Sequence, residues 1–217
     1  QMPFDVAKDF APITMLASIP FVLVGHPSVP ADNLQQLIAL AKSQPGKVSI
    51  GHGGNGTAMH LSTALFTQMA DVKLIEVPYR GSGPAAMDTL SGQIQLSITD
   101  LAAALPHIKA GKLKPLAITA RKRWSELPEV PTIDEAAVKG FVYTPWYGFW
   151  FPAGVAPEAV TRIRNEVAKV LDEPEIKRAF AEQGFAVVGS SSAEFSKLVS
   201  EEIAMNKKLA MRVDFSQ

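Results

Sequence analysis

The 217 residues are 47% hydrophobic, enough for a packed core in one large domain or two small lobes. Lys and Arg (21) balance Asp and Glu (21), so no net positive field is available to condense on nucleic acid or on an anionic membrane. No cysteine is present, which excludes disulfides, thiolate nucleophiles and thiolate metal sites, and no apolar run has the length needed to span a bilayer.

In chain order, the residues to Ala17 contain Asp9-Phe-Ala-Pro-Ile13, whose turn residues and bulky apolar side chains suggest an extended connector. Phe21-Val-Leu-Val24 reads as a buried strand. Ser28 to Lys42 reads as an amphipathic helix. Asp32 and Gln35 have capping-box spacing, Leu34, Leu37, Ile38 and Ala41 share a face, and Pro45-Gly46 ends it. From Lys47 the order strand, tight turn, helix recurs three times, which is the rhythm of an α/β fold. The first unit is Val48 to Leu61, an apolar run that breaks into Gly51, Gly53, Gly54 and Gly56 before a helix presenting Leu61, Leu65 and Met69. The second runs from Val72 to Tyr79, turns at Arg80-Gly-Ser-Gly83, and enters a helix with Pro84 in its first turn and Gly92 just past its end. The third is Ile94 to Asp100, then Leu101 to Ala110 closed by Gly111, and Lys114 to Thr119 adds a strand. Arg121 to Val142 is a proline-punctuated crossing segment with a short helix from Thr132. Tyr143 to Phe151 concentrates aromatics, as the lining of an interface or pocket does. Pro157 and Pro174 each open a helix, the first striped by Val160, Ile163, Val167 and Leu171, and Gly184 closes the second. Phe185 to Val188 reads as a strand, and Ser191 with Glu194 forms a capping box for a last helix bearing Phe195, Val199 and Ile203.

Ligands of open parallel sheets bind at the carboxyl ends of strands, which gathers Gly51 to Thr57, Tyr79 to Gly83 and Asp100 around one crevice. Glycines let a backbone approach a ligand closely, and the free amides at the start of the next helix, around Thr57 and Ala58, favour an anion. Gly56 is followed by Thr57 and Ala58 rather than the Lys of a P-loop, and a Rossmann Gly-x-Gly-x-x-Gly is absent, so a carboxylate is favoured over a phosphate. Taken alone, the glycines fit a tight turn equally well. There is no Gly-x-Ser-x-Gly elbow, no His-Glu-x-x-His and no carboxylate cluster with ligand spacing, and His26, His52, His60 and His107 are scattered. No enzyme, cofactor or metal is therefore expected. The rival readings are an enzyme acting on small organic acids and a ligand-sensing domain of a regulator; the regulator would need a helix-turn-helix and a basic face.

The chain resembles the tripartite tricarboxylate transporter receptors, the Bordetella uptake gene family of periplasmic solute-binding proteins. The resemblance is carried by Asp9-Phe-x-Pro-Ile13, Leu40-Ala-Lys42 with Pro45-Gly46, Gly51-x-x-Gly-x-Gly-Thr57 with His60-Leu61, and Val77-Pro-Tyr-Arg-Gly81 with Pro84-Ala85. It continues in Asp88-x-Leu-x-Gly92, Pro106-His-Ile-x-x-Gly-Lys-Leu113, Leu116-Ala117, Arg123, Leu127-Pro-x-Val-Pro-Thr132, Glu135-Ala136, Trp146 and Phe151-Pro-Ala-Gly154.

What the resemblance implies is a type II periplasmic-binding-protein-like α/β fold, with two lobes, a cleft between them and a hinge of crossing strands. Lobe 1 would comprise residues 1–22 and 148–217, and lobe 2 residues 23–147. Lobe 1 would be incomplete, because a family chain carries an N-terminal segment with a signal peptide and a ligand-binding loop. The implied function is a monomeric periplasmic receptor that captures a mono-, di- or tricarboxylate, or an amino-acid-like acid, for the membrane permease subunits of a tripartite tricarboxylate transporter, with no nucleic-acid partner. Residue by residue, Gly53, Gly54, Asn55, Gly56, Thr57 and Ala58 would hold one ligand carboxylate through backbone amides and the Thr57 hydroxyl. Tyr79 and Gly81 would add a hydroxyl or amides, and Arg80 is either a ligand charge or a solvated cation. Asp100 fits a helix cap better than a contact with an anion, although an amine-bearing ligand would reverse that. His52 stands where the family more often has a small hydroxyl residue and either tunes specificity or is exposed, whereas His60 is read as structural. Trp146 packs on the ligand or on the hinge.

Overall fold

A computed structural model describes residues 3–211. They divide into two compact units: Pro20–Pro145 forms one, and the described residues up to Ile19 join Trp146–Met211 in the other. The chain passes between units twice, at Ile19-Pro20 and at Pro145-Trp146.

The first element among the described residues is a single helical turn, α1 (Val6–Asp9), which runs directly into β1 (Phe10–Ser18). The stretch expected as a connector is thus a nine-residue strand. In the Pro20–Pro145 unit, β2 (Phe21–Gly25) is buried at every residue, as its unbroken apolar run requires of a strand covered on both faces. Helix α2 (Leu34–Ser43) buries Leu34, Leu37 and Ala41; its cap is Asn33, whose side chain accepts from Gln36 N–H, one residue later than the expected Asp32. Gln36 Oε1 in turn accepts from Asp32 N–H at 2.7 Å, one residue ahead of the cap.

Then follow β3 (Ser49–His52), α3 (Ala58–Ala70), β4 (Ile75–Pro78), α4 (Ser82–Leu90), β5 (Leu96–Asp100), α5 (Leu101–Lys109), β6 (Lys114–Ile118) and α6 (Ile133–Ala136). The sheet order is β4-β3-β5-β2-β6. β3 is parallel to β4 and β5, whereas β2 runs antiparallel to β5 and β6, so the sheet is mixed rather than fully parallel. Val22, Val24, Leu101, Ala104 and Ile118 form part of the core beneath it. Helix α3 corrects the expected face. Met69 is exposed, and the buried side carries His60, Thr63, Ala64, Phe66 and Ala70. Thr63 satisfies its hydroxyl on Met59 O at 2.9 Å, which lets a polar residue face inward.

In the other unit, β7 (Trp146–Pro152) pairs antiparallel with β1 from Ser18↔Trp146 to Phe10↔Pro152, and β8 (Ala186–Val187) pairs with the other edge of β1. Phe21 and Val22, expected in the first lobe, belong to β2 of the five-stranded sheet, while Trp146 and Tyr147, expected in the second, belong to β7. Helices α7 (Pro157–Asp172), α8 (Pro174–Glu182) and α9 (Ser192–Ala210) start where the prolines and the Ser191/Glu194 capping box put them. β7 alternates, with Tyr147 and Phe149 exposed and Trp146, Gly148 and Trp150 turned inward against Phe195. Among the described residues no helix is long and apolar enough to cross a membrane.

Candidate functional site

Parallel pairing of β3 with β4 ends at His52↔Pro78, and two further bonds carry it past the strand ends. Tyr79 N–H donates to His52 O at 2.9 Å, and Gly81 N–H donates to Gly53 O at 3.2 Å. The two turns expected at one rim are thereby tied together through their backbones. β5 flanks β3 on the other side, also parallel, so Asp100 and the start of α5 lie at the same end of the sheet.

Glycine is required where the turns touch. At Gly54 φ is +114°, and a Cβ there would stand 2.9 Å from Tyr79 O. A Cβ on Gly53 would stand 2.8 Å from Sδ of the flexible Met59 side chain, which can shift, so glycine is less strictly demanded there. Thr57 is the N-cap of α3; its hydroxyl accepts from His60 N–H at 3.3 Å and donates to Gly54 O at 2.7 Å. The first intrahelical bond of α3 is Leu61 N–H to Thr57 O, so the amides of Ala58 and Met59 lie ahead of any intrahelical acceptor. Helix α4 starts from Gly81, which has no side chain to cap it.

Two amides expected to meet a ligand do not point that way. Gly54 N–H donates to His52 Nδ1 at 3.3 Å and Gly56 N–H donates to His60 Nδ1 at 3.0 Å. His52 is buried rather than exposed, and its ring stacks on that of His60 with centroids 4.6 Å apart and planes 17° from parallel. Both Nε2 atoms approach Glu76 Oε2, at 3.3 Å from His60 and 3.7 Å from His52. Among the described residues these three form a group whose ligand atoms lie within 4.8 Å of one another, so two of the scattered histidines and a carboxylate do come together. Burial and the adjacent His60 push the His52 imidazole down to about 4. Burial likewise lowers His60 and raises the Glu76 carboxyl. Glu76 escaped sequence reasoning, yet a charged residue inside Leu74-Ile-Glu-Val77 was a signal that something polar lay beside that strand.

Tyr79 donates its hydroxyl to Asp88 Oδ2 at 2.8 Å, and burial together with Asp88 pushes its phenol up to about 12. The Arg80 side chain is exposed, and Asn55, Gly56 and Thr57 form the exposed tip of the first turn. Asp100 caps α5, its Oδ1 accepting from Ala103 N–H at 2.9 Å. Trp146 belongs to the other unit, where its Nε1–H donates to Glu202 Oε2 at 2.7 Å and its ring meets Phe195 edge-on.

Residues 1–214 match the family described as the tripartite tricarboxylate transporter family receptor. The chain belongs to that family. Protein BugT of Bordetella pertussis is 33% identical to this receptor-family chain over 203 residues, covering 94% of the chain and 62% of BugT. Rpa4515 of R. palustris, solved with adipate, superposes with a TM-score of 0.84 at 35% identity, covering 97% of this chain and 71% of that one. MatC of Rhodopseudomonas palustris, solved with bound malate, gives a TM-score of 0.81 at 26% identity, covering 96% of this chain and 72% of that one. The α/β fold of this family member is thus that of solute-binding receptors, and the chain spans about three-fifths of the length of BugT.

Proposed function

We propose that the chain carries the anion-holding part of a periplasmic receptor that captures a small mono-, di- or tricarboxylate and delivers it unchanged to the membrane permease subunits of a tripartite tricarboxylate transporter. The observation that carries this reading is the rim where α3 and α4 begin side by side, from turns joined by the bond between Gly81 N–H and Gly53 O. Free amides at helix starts favour negative charge, and Arg80 adds an exposed cation to the second turn. Family membership and relatives solved with adipate and malate support a carboxylate as that anion.

The magnitudes suffice. A helix N-terminus contributes roughly 0.3–2 kcal/mol toward an anion, and each charge-assisted hydrogen bond about 1.5–3 kcal/mol. Three such bonds together with the helix contribution span roughly 5–11 kcal/mol, which brackets the roughly 8 kcal/mol of micromolar affinity. Calorimetric titration of the chain with acetate, malate, adipate and citrate tests the reading. At least one acid should bind one-to-one and be recovered unchanged. No heat with any of them would contradict it, and consumption of the acid would make the protein an enzyme.

A further inference from the structure

Beneath the rim, three polar side chains converge that the binding of an anion does not itself require: His52 at the end of β3, His60 in the first turn of α3 and Glu76 on the edge strand β4. We propose that they are positioning residues, in which the two imidazoles hold the Gly54 and Gly56 amides inward and so preset the turn that leaves the Ala58 and Met59 amides available to an anion. The inference rests on the reading of the rim as a carboxylate site and names what fixes its geometry.

The hydrogen bonds dictate the protonation pattern. A neutral imidazole has one donor and one acceptor nitrogen. Because Nδ1 of each ring accepts a glycine amide, the proton must sit on Nε2, and both Nε2 atoms face the Glu76 carboxylate. One carboxylate thus faces two N–H donors, whose opposite edges fix two amides of a turn in which Gly54 and Gly56 both have positive φ. A protonated ring would present N–H to N–H at Nδ1 and expel the glycine amide; burial of both rings opposes that charge.

The same pattern argues against a divalent cation at these atoms. Coordination by Nε2 needs its lone pair free and the proton moved to Nδ1. That would break both glycine bonds. The near-parallel stacking adds a second obstacle, since the in-plane lone pairs of stacked rings run side by side instead of converging on one ion.

The test begins on the unmodified, unliganded chain at neutral pH, where imidazole nitrogen NMR should show the Nε2–H tautomer for both histidines and hydrogen exchange should show slow Gly54 and Gly56 amides. In His60→Asn a side-chain oxygen can stand in for Nδ1, so Gly56 should stay protected and adipate affinity should remain within about threefold, whereas His60→Leu should free Gly56 and weaken adipate by about tenfold. An Nδ1–H tautomer on either ring would overturn the inference. So would equal Gly56 exchange in the Asn and Leu variants, or stoichiometric Zn²⁺ binding that abolishes the Nε2–H signals. The tautomer and exchange readouts need no ligand, so failure of the chain to bind adipate, with both readouts as expected, would count against the carboxylate reading alone.

Discussion

At His52 the sign of a pH effect follows from burial. Its folded-state value, about 4, lies below the usual 6.5, so the unfolded chain takes up the proton first as pH falls. The stability tied to the neutral ring is complete above about pH 6.5 and drains away toward pH 4, a loss on the order of 3 kcal/mol. Glu76 works in the opposite sense. Its raised value favours the protonated form in the folded state, so acidification returns part of that loss. Of the other titratable groups near the rim, His60 shares the direction of His52, and the Tyr79–Asp88 pair holds the neighbouring turn. Replacing His52 with Asn removes the titration while keeping an acceptor for Gly54. The melting temperature of His52→Asn should therefore fall less steeply than that of the unmodified chain between about pH 6.5 and pH 4. Parallel slopes would contradict this assignment.

Among the elements, close approach decides more than propensity does. A Cβ on Gly148 of β7 would stand 2.2 Å from Phe195 Cζ, and Phe195 is fully buried beside Trp146 and Trp150. Gly148→Ala should therefore cost about 1–3 kcal/mol by overpacking. Hydrogen exchange would locate the effect: faster exchange in β1, β7 and α9 is expected, with β2, β3 and β5 unchanged, and uniform acceleration throughout would argue against it. Helix starts were legible because their signals are local. Ser191 with Glu194 forms the capping box its spacing announces, and the short helix expected from Thr132 is capped by that residue. β1 was not legible as a strand, because the register shifts between Pro12 and Thr14 and between Met15 and Ala17 break the period of two by which a strand is recognised. The inward face of α3 was missed for another reason: His60 and Thr63 become core residues through hydrogen bonds that no hydrophobic pattern reveals.

On the scale of the whole chain, the recurring strand-turn-helix order specified the α/β fold and the rim, since each turn follows a parallel strand and must emerge at the same end. The inward turn of Gly54 and Gly56 was beyond the sequence, because it depends on two histidines eight residues apart and on a glutamate from another strand. In the proposed site the anion is held at the start of α3, and there a single backbone donor can be removed. Ala58 is the first residue of the helix, a position that tolerates proline, and Thr57 before it is already extended, with φ −74° and ψ 163°. Ala58→Pro deletes one amide N–H and leaves the helix able to form. Calorimetry with adipate and malate on Ala58→Pro and on the unmodified chain therefore addresses the central claim directly. Loss of one charge-assisted hydrogen bond should weaken the better-bound acid by about tenfold or more, with melting little changed. Equal affinity for both proteins would contradict an anion held by the amides of α3.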